Sequence, residues 1–156
     1  MNREEPDFAL LVTVAARAVA DGLLRAHSEA GFGWMKSQYG FVLRALGDDG
    51  LGLTELADRL GISKQATLQI VDEMEDRGVV RRRPDPDDRR AKLIEVTGKG
   101  ERVRSTAMSA SRAMERDLRR ALGAQAVRDC REVLTRFAEQ HGEADDARLG
   151  RARPVW

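Results

Sequence analysis

The chain has 156 residues and a net charge of +1, with 42% hydrophobic, 34% charged and 4% aromatic side chains. That length suits one domain, or one domain with an added association element, and the near-zero net charge excludes a uniformly basic coat, so any attraction to DNA must come from a local concentration of cations. One cysteine excludes an intrachain disulfide, no apolar run approaches the roughly 18 residues of a membrane span, and the opening Met1-Asn2-Arg3-Glu4-Glu5-Pro6 lacks the apolar core of a signal peptide, so a cytoplasmic protein without membrane contact is expected.

In chain order, helical spacing starts at Phe8 and runs to about Ala30. Phe8, Leu11, Ala15, Ala18 and Gly22 share one face, Val12, Val19 and Leu23 lie beside it, and Asp7 stands as N-cap. Gly31 and Gly33 break this helix. A second, shorter helix is predicted over Ser37–Leu46, burying Phe41, Val42 and Leu46, and Gly47-Asp48-Asp49-Gly50 ends it as a turn. Leu53–Leu60 reads as a short helix with Thr54 as N-cap and Leu56, Ala57 and Leu60 as its apolar side. After the break Gly61-Ile62-Ser63, Ser63 caps another helix from Lys64 to about Arg77, stopped by Gly78. Two strand-like runs, residues 79–83 and 92–96, flank a polar loop with two prolines and form a β-hairpin. Thr97 caps a long helix through about Leu122, Gly123 interrupts it, and a last helix spans Ala124–Gln140.

Short helix, three-residue turn, second helix, hairpin is the order of a helix-turn-helix followed by a wing. Small Ala57 allows two helices to cross closely, and Gly61 supplies the left-handed backbone of the turn. Counted from that turn, Thr67, Ile70, Val71 and Met74 face inward, while Ser63, Lys64, Gln65, Leu68 and Gln69 face outward near the end that enters a major groove. Lys64 can donate to guanine O6 and N7, Gln65 or Gln69 can pair with adenine, and Leu68 can pack on a thymine methyl. From Arg81 to Lys92 there are six cations (Arg81, Arg82, Arg83, Arg89, Arg90, Lys92) against three anions (Asp85, Asp87, Asp88). Arg81, Arg82, Arg83 and Lys92 are the expected phosphate contacts. An arginine at the wing tip can enter a narrow minor groove, held by an aspartate two residues earlier.

The segments Leu53-Thr-Glu-Leu-Ala-Asp-Arg-Leu-Gly-Ile-Ser-Lys-Gln-Ala, Val71-Asp-Glu-Met-Glu-Asp-Arg-Gly-Val-Val-Arg-Arg and Asp85-Pro-Asp-Asp-Arg-Arg-Ala-Lys resemble the MarR family of transcriptional regulators. The likeness covers about Leu51 to Gly100, roughly a third of the chain. It implies a triangular homodimer whose terminal helices interlock and whose two winged lobes read a palindrome. The family's wing pattern, Asp-x-Arg and then a small residue, falls on Asp88, Arg89, Arg90 and Ala91, making Arg90 the minor-groove residue and Asp88 its anchor. There is one departure: the family usually has an aliphatic residue where this chain has Thr67, and a small polar one where it has Leu68.

The fold expected is therefore mainly α with a small β-hairpin wing. Residues 1–36 form an N-terminal dimerisation helix and linker, 37–98 the winged helix-turn-helix lobe, 99–142 the C-terminal dimerisation helices, and 143–156 a polar tail. The two last helices carry seam-like apolar stripes that need a partner surface, and Phe8, Leu11, Leu118, Leu134 and Phe137 are the expected dimer contacts. The resemblance also implies an effector site between the dimerisation helices and the winged lobe. Phe32, Trp34 and Tyr39 would line it for a small aromatic molecule, with core packing as the simpler reading of the same side chains. Cys130 lies on the apolar stripe of the last helix, where a small buried hydrophobe is expected rather than a redox sensor. His27 and His141 lack metal-ligand spacing. No nucleophile–base pair, phosphate loop or cofactor fingerprint is present, so neither an enzyme nor a bound cofactor is expected. The expected function is a DNA-binding regulator, a repressor open to ligand control that binds a palindromic operator. The alternative is a winged-helix protein-interaction module that does not touch DNA.

Overall fold

The computed structural model describes residues 6–88 and 91–142. Within them the chain runs α1 (Phe8–Glu29), α2 (Ser37–Leu46), β1 (Leu51–Gly52), α3 (Leu53–Leu60), α4 (Lys64–Asp76), β2 (Val80–Pro84), β3 (Lys92–Val96), α5 (Gly98–Leu122) and α6 (Ala124–Gln140). The helix starts follow capping chemistry, in which a side-chain oxygen satisfies a backbone N–H left over at the first turn. Asp7 accepts from the Leu10 amide at 2.9 Å, Ser63 from Ala66 at 3.1 Å and Thr97 from Gly100 at 3.2 Å.

The start of α3 differs from expectation. Gly52 occupies the N-cap position without a side-chain cap, and Thr54 lies exposed inside the first turn. The cause is β1, a two-residue strand too short to show a period. It pairs antiparallel with β3 (Leu51 opposite Ile94, Gly52 opposite Leu93) and leads straight into the helix. The sheet is thus three-stranded, in the order β1-β3-β2, with Val80 opposite Val96 and Pro84 opposite Lys92.

One apolar core gathers α2, α3, α4 and the inner face of the sheet. Val42, Leu46, Leu56, Leu60, Val71, Met74, Val79, Val80, Ile94 and Val103 are buried there. Each such side chain contributes roughly 1.5–3 kcal/mol when fully removed from water. Phe41 is only partly buried and packs on the rim of this core. Gly61 turns α3 into α4 with φ 67° and ψ 28°, the left-handed conformation that costs glycine nothing.

The first turn of α5 is mounted on the end of α4 and the start of β2. The Thr97 hydroxyl donates to the Gly78 carbonyl at 2.7 Å, the Thr97 amide to Val79 O at 3.1 Å, and Lys99 Nζ to Arg77 O at 2.6 Å. Gly100 lies buried in that joint. A Cβ there would be driven into the Val79 carbonyl oxygen and Val96 Cγ1, far inside contact distance. One turn later, Arg104 spans to α2. Its Nε donates to Leu43 O at 3.0 Å and its Nη2 to Gly47 O at 2.7 Å, satisfying carbonyls at a helix end.

Beyond this mount the chain changes character. α1 crosses α5 closely at Gly22, where a Cβ would collide with the end of the Met114 side chain. His27 is buried between the two helices, with Nδ1 2.8 Å from Leu23 O and Nε2 3.2 Å from Val103 O, so the nitrogen that carries the proton donates to a carbonyl of the chain itself. Otherwise α1 buries no residue, α5 buries only Gly100 and Val103, and α6 buries none. Their apolar side chains stand open along the length of the terminal helices.

Replacing Gly100 with Ala is expected to lower folding stability by about 1–3 kcal/mol, the usual cost of forcing extra volume into a packed site. Chemical denaturation measures this. An unchanged midpoint would show that α5 does not seat on Val79.

Candidate nucleic-acid interface

The two sides of α4 are set by the 3.6-residue period of a helix. Thr67, Ile70, Val71 and Met74 are buried, and Ser63, Lys64, Gln65, Leu68 and Gln69 are all exposed, as their spacing predicts. Thr67 is fully buried despite its hydroxyl because Oγ1 donates to the Ser63 carbonyl at 3.0 Å. That bond along the helix frees it of any other partner.

Three braces hold α4 from behind. Arg82 of β2 pairs with Asp72 at 2.5 Å and with Glu75, so the strand is stapled to the helix. Lys36 and the Tyr39 hydroxyl both donate to Glu73 Oε2, at 2.6 and 2.5 Å. This pair, Lys36 first, holds the Glu73 carboxyl below its ordinary range. Lys99 closes the C-terminal end through the Arg77 carbonyl. None of these carboxylates carries a sequence signal for its role, since each partner comes from a separate element.

The wing arginines end up elsewhere than the sequence window suggests. Cross-strand pairing sets Arg81 opposite Glu95, and Arg83 lies on the same face two residues on. Both guanidinium groups donate to Glu95, and Arg83 Nη2 also reaches Asp49 O at 3.2 Å. Arg82 points to the other face, onto α4. Arg81, Arg82 and Arg83, the expected phosphate contacts, are all engaged in ion pairs within the chain, and the Arg81 side chain stays largely exposed. Counting residues 81–92 left out Glu95, Asp72 and Glu75, the acids that neutralise them. Lys92 is exposed. The loop closes on itself, with the Asp85 amide donating to Ala91 O at 3.1 Å and the Ala91 amide to Asp88 O at 2.9 Å. Arg89 and Arg90 lie outside the described residues, as do residues 1–5 and the tail 143–156.

The aromatic group before α2 is packed. Phe32 meets Trp34 edge-on with centroids 6.0 Å apart, and Trp34 meets Tyr39 at 6.4 Å. Arg77 and Lys99 stand 5.7 and 5.2 Å from the Trp34 ring, and Lys36 5.3 Å from Tyr39. Tyr39 is buried, while Phe32 and Trp34 are half-buried against the core. Trp34 and Tyr39 thereby meet Arg77 and Glu73 of the α4 segment and Lys99 of α5.

Helix, left-handed turn, half-exposed second helix and pleated wing form one continuous unit, and the sequence profile of the MarR family matches residues 35–91 of it. Over that segment the chain is similar to the MarR family. Its members are transcriptional regulators and not enzymes. No curated protein sequence matches the chain.

Among solved structures, a MarR-family transcriptional regulator from Rhodococcus sp. RHA1 is similar over 85% of this chain and 92% of its own, at 26% identity and a TM-score of 0.64. CouR from Rhodococcus jostii RHA1, bound to p-coumaroyl-CoA, is 27% identical over 85% and 92% of the two chains, with a TM-score of 0.62. A MepR variant from S. aureus bound to an oligodeoxyribonucleotide shares the fold, at 19% identity over 87% and 99% and a TM-score of 0.59.

Cys130 is exposed, which corrects the expectation of a buried small hydrophobe. It lines an apolar groove of about 490 Å³ between α5 and α6 with Leu118, Leu122, Val127 and Leu134. The stripe exists, but it faces outward within one protomer.

Arg81 and then Arg83 hold the Glu95 carboxyl below its ordinary range. A carboxyl lowered in the folded state adds stability above the unfolded-state value of about 4.5 and loses it as pH falls through the lowered folded value. Amide-exchange protection of β2 and β3 is thus expected to hold down to that range and fall below it. Replacing Glu95 with Gln should flatten the profile, and an unaltered pH dependence would refute the assignment.

Proposed function

We propose that this chain is a MarR-family regulator that binds a palindromic DNA operator as a homodimer and represses by occupying it. The observation that carries this reading is the division of α4. Its inner face is buried in the core, while Ser63, Lys64, Gln65, Leu68 and Gln69 remain exposed. A recognition helix needs this arrangement, since its N-terminal residues must reach base edges without unfolding anything. In this reading Lys64, Gln65 and Gln69 meet bases, Asp88, Arg89 and Arg90 form the minor-groove wing, and Lys92 meets phosphate.

The open faces of the terminal helices support the dimer. Of the twelve large apolar side chains exposed among the described residues, eleven lie on α1, α5 and α6. They include Phe8, Leu11, Leu118, Leu134 and Phe137, and Phe8 and Phe137 meet with centroids 5.4 Å apart, joining the α1 and α6 patches. A contiguous apolar surface of that kind marks an interface. Two lobes held this way would present half-sites about one helical turn apart, roughly 34–36 Å. The CouR structure with its acyl-CoA supports extending the reading to an aromatic effector at Phe32, Trp34 and Tyr39. An effector there would compete with Arg77 and Lys99 for Trp34 and loosen the brace on α4.

Selection of duplexes from a random library tests the function directly, and a palindromic consensus is the expected product. Lys64→Ala and Arg90→Ala should each weaken binding by about 1–3 kcal/mol. Unchanged affinity in both would remove α4 and the wing from the interface. Phe137→Asp should turn the dimer into monomers in analytical ultracentrifugation and abolish tight operator binding. A dimer that persists would move the interface away from the terminal helices.

A further inference from the structure

The twelfth exposed large apolar side chain is Leu68, which is 40% exposed and sits amid the polar residues of α4's outward face. A small rotation of the helix does not explain it. Successive residues are 100° apart, so turning Leu68 inward would carry Thr67 out of the core and unseat Val71. Thr67 is fully buried with its hydroxyl satisfied by Ser63, and Ile70, Val71 and Met74 pack in the core. The outward direction of Leu68 is therefore fixed by four inward neighbours. Gln65 and Gln69 flank it on the same face.

An apolar side chain among amides and an ammonium gains free energy when a partner covers it. The major-groove edges of the four bases offer one apolar group, the C5-methyl of thymine. We propose that Leu68 is a specificity-determining residue that reads a thymine methyl in each half-site. Its amide neighbours favour adenine, so this face of α4 selects A·T pairs. The inference rests on the reading that α4 enters a major groove.

The test uses the full-length chain and the duplex it selects best from a random library. Each thymine is replaced in turn by deoxyuridine, symmetrically in both half-sites. This removes only the methyl and leaves every hydrogen bond in place. At one symmetric position the wild-type protein should lose about three- to five-fold in affinity per half-site, the worth of one buried methyl-sized group. Leu68→Ala should show no loss at that position and the same losses as wild type elsewhere. Alanine is the best helix former, and the site is exposed, so the variant keeps its fold; an unchanged thermal midpoint verifies this. A selected duplex with no position where Leu68→Ala erases the uracil penalty overturns this inference alone. Failure to select any duplex overturns the DNA-binding reading and this inference with it.

Discussion

The close seat of Gly100 against the Val79 carbonyl is the contact through which the winged lobe and the terminal helices become one body. Around it, Thr97 bonds to Gly78 and Val79, and Lys99 bonds to Arg77, all within the segment where α4 ends and β2 begins. The end of α4 is thereby tied to the first turn of α5. Arg104 adds a second tether one turn on, reaching the end of α2. These bonds couple the orientation of α4 to that of α5. A side chain at residue 100 would push these elements apart, so the mount depends on the missing Cβ.

The charges of the lobe serve this rigidity more than they serve attraction. Arg81, Arg82 and Arg83 would read as a basic strip in isolation, yet each is matched by a carboxylate from another element. Exposed pairs of this kind add little stability one at a time. Here they share acids: Glu95 takes two arginines, and Arg82 takes two acids. Such sharing orders several side chains for the entropy of a few. Cations held in this way shape the wing, and the outward face of α4 with Lys64 and the exposed Lys92 remains turned to solvent.

The apolar surface is divided just as sharply. Within the lobe Leu68 is the one large apolar residue that stands exposed among the described residues, while eleven on α1, α5 and α6 lie open by about half. The lobe carries a complete core; the terminal helices carry half of one. A helix that presents an apolar stripe to water is stable only against another surface, so the long helices and the short lobe obey different constraints in the same chain.

Local patterns made much of this legible in the sequence. The limits of α2 and α6, the caps Asp7, Ser63 and Thr97, the left-handed turn at Gly61 and the two sides of α4 all follow from spacing and from the chemistry of helix ends, which act within a few residues. What only the tertiary structure decided depends on contacts between distant segments. The two-residue strand β1 exists because β3 lies alongside it, and it displaced Thr54 from the cap position. Glu95, Asp72 and Glu75 neutralise the wing arginines because strand pairing brings them there. Gly100, Glu73 and Arg104 bear on the mount through partners 20 to 60 residues away. Cys130 faces outward because the stripe that carries it has no partner within the protomer. Periodicity fixes which face of a helix is apolar, and only the packed chain determines what, if anything, covers it.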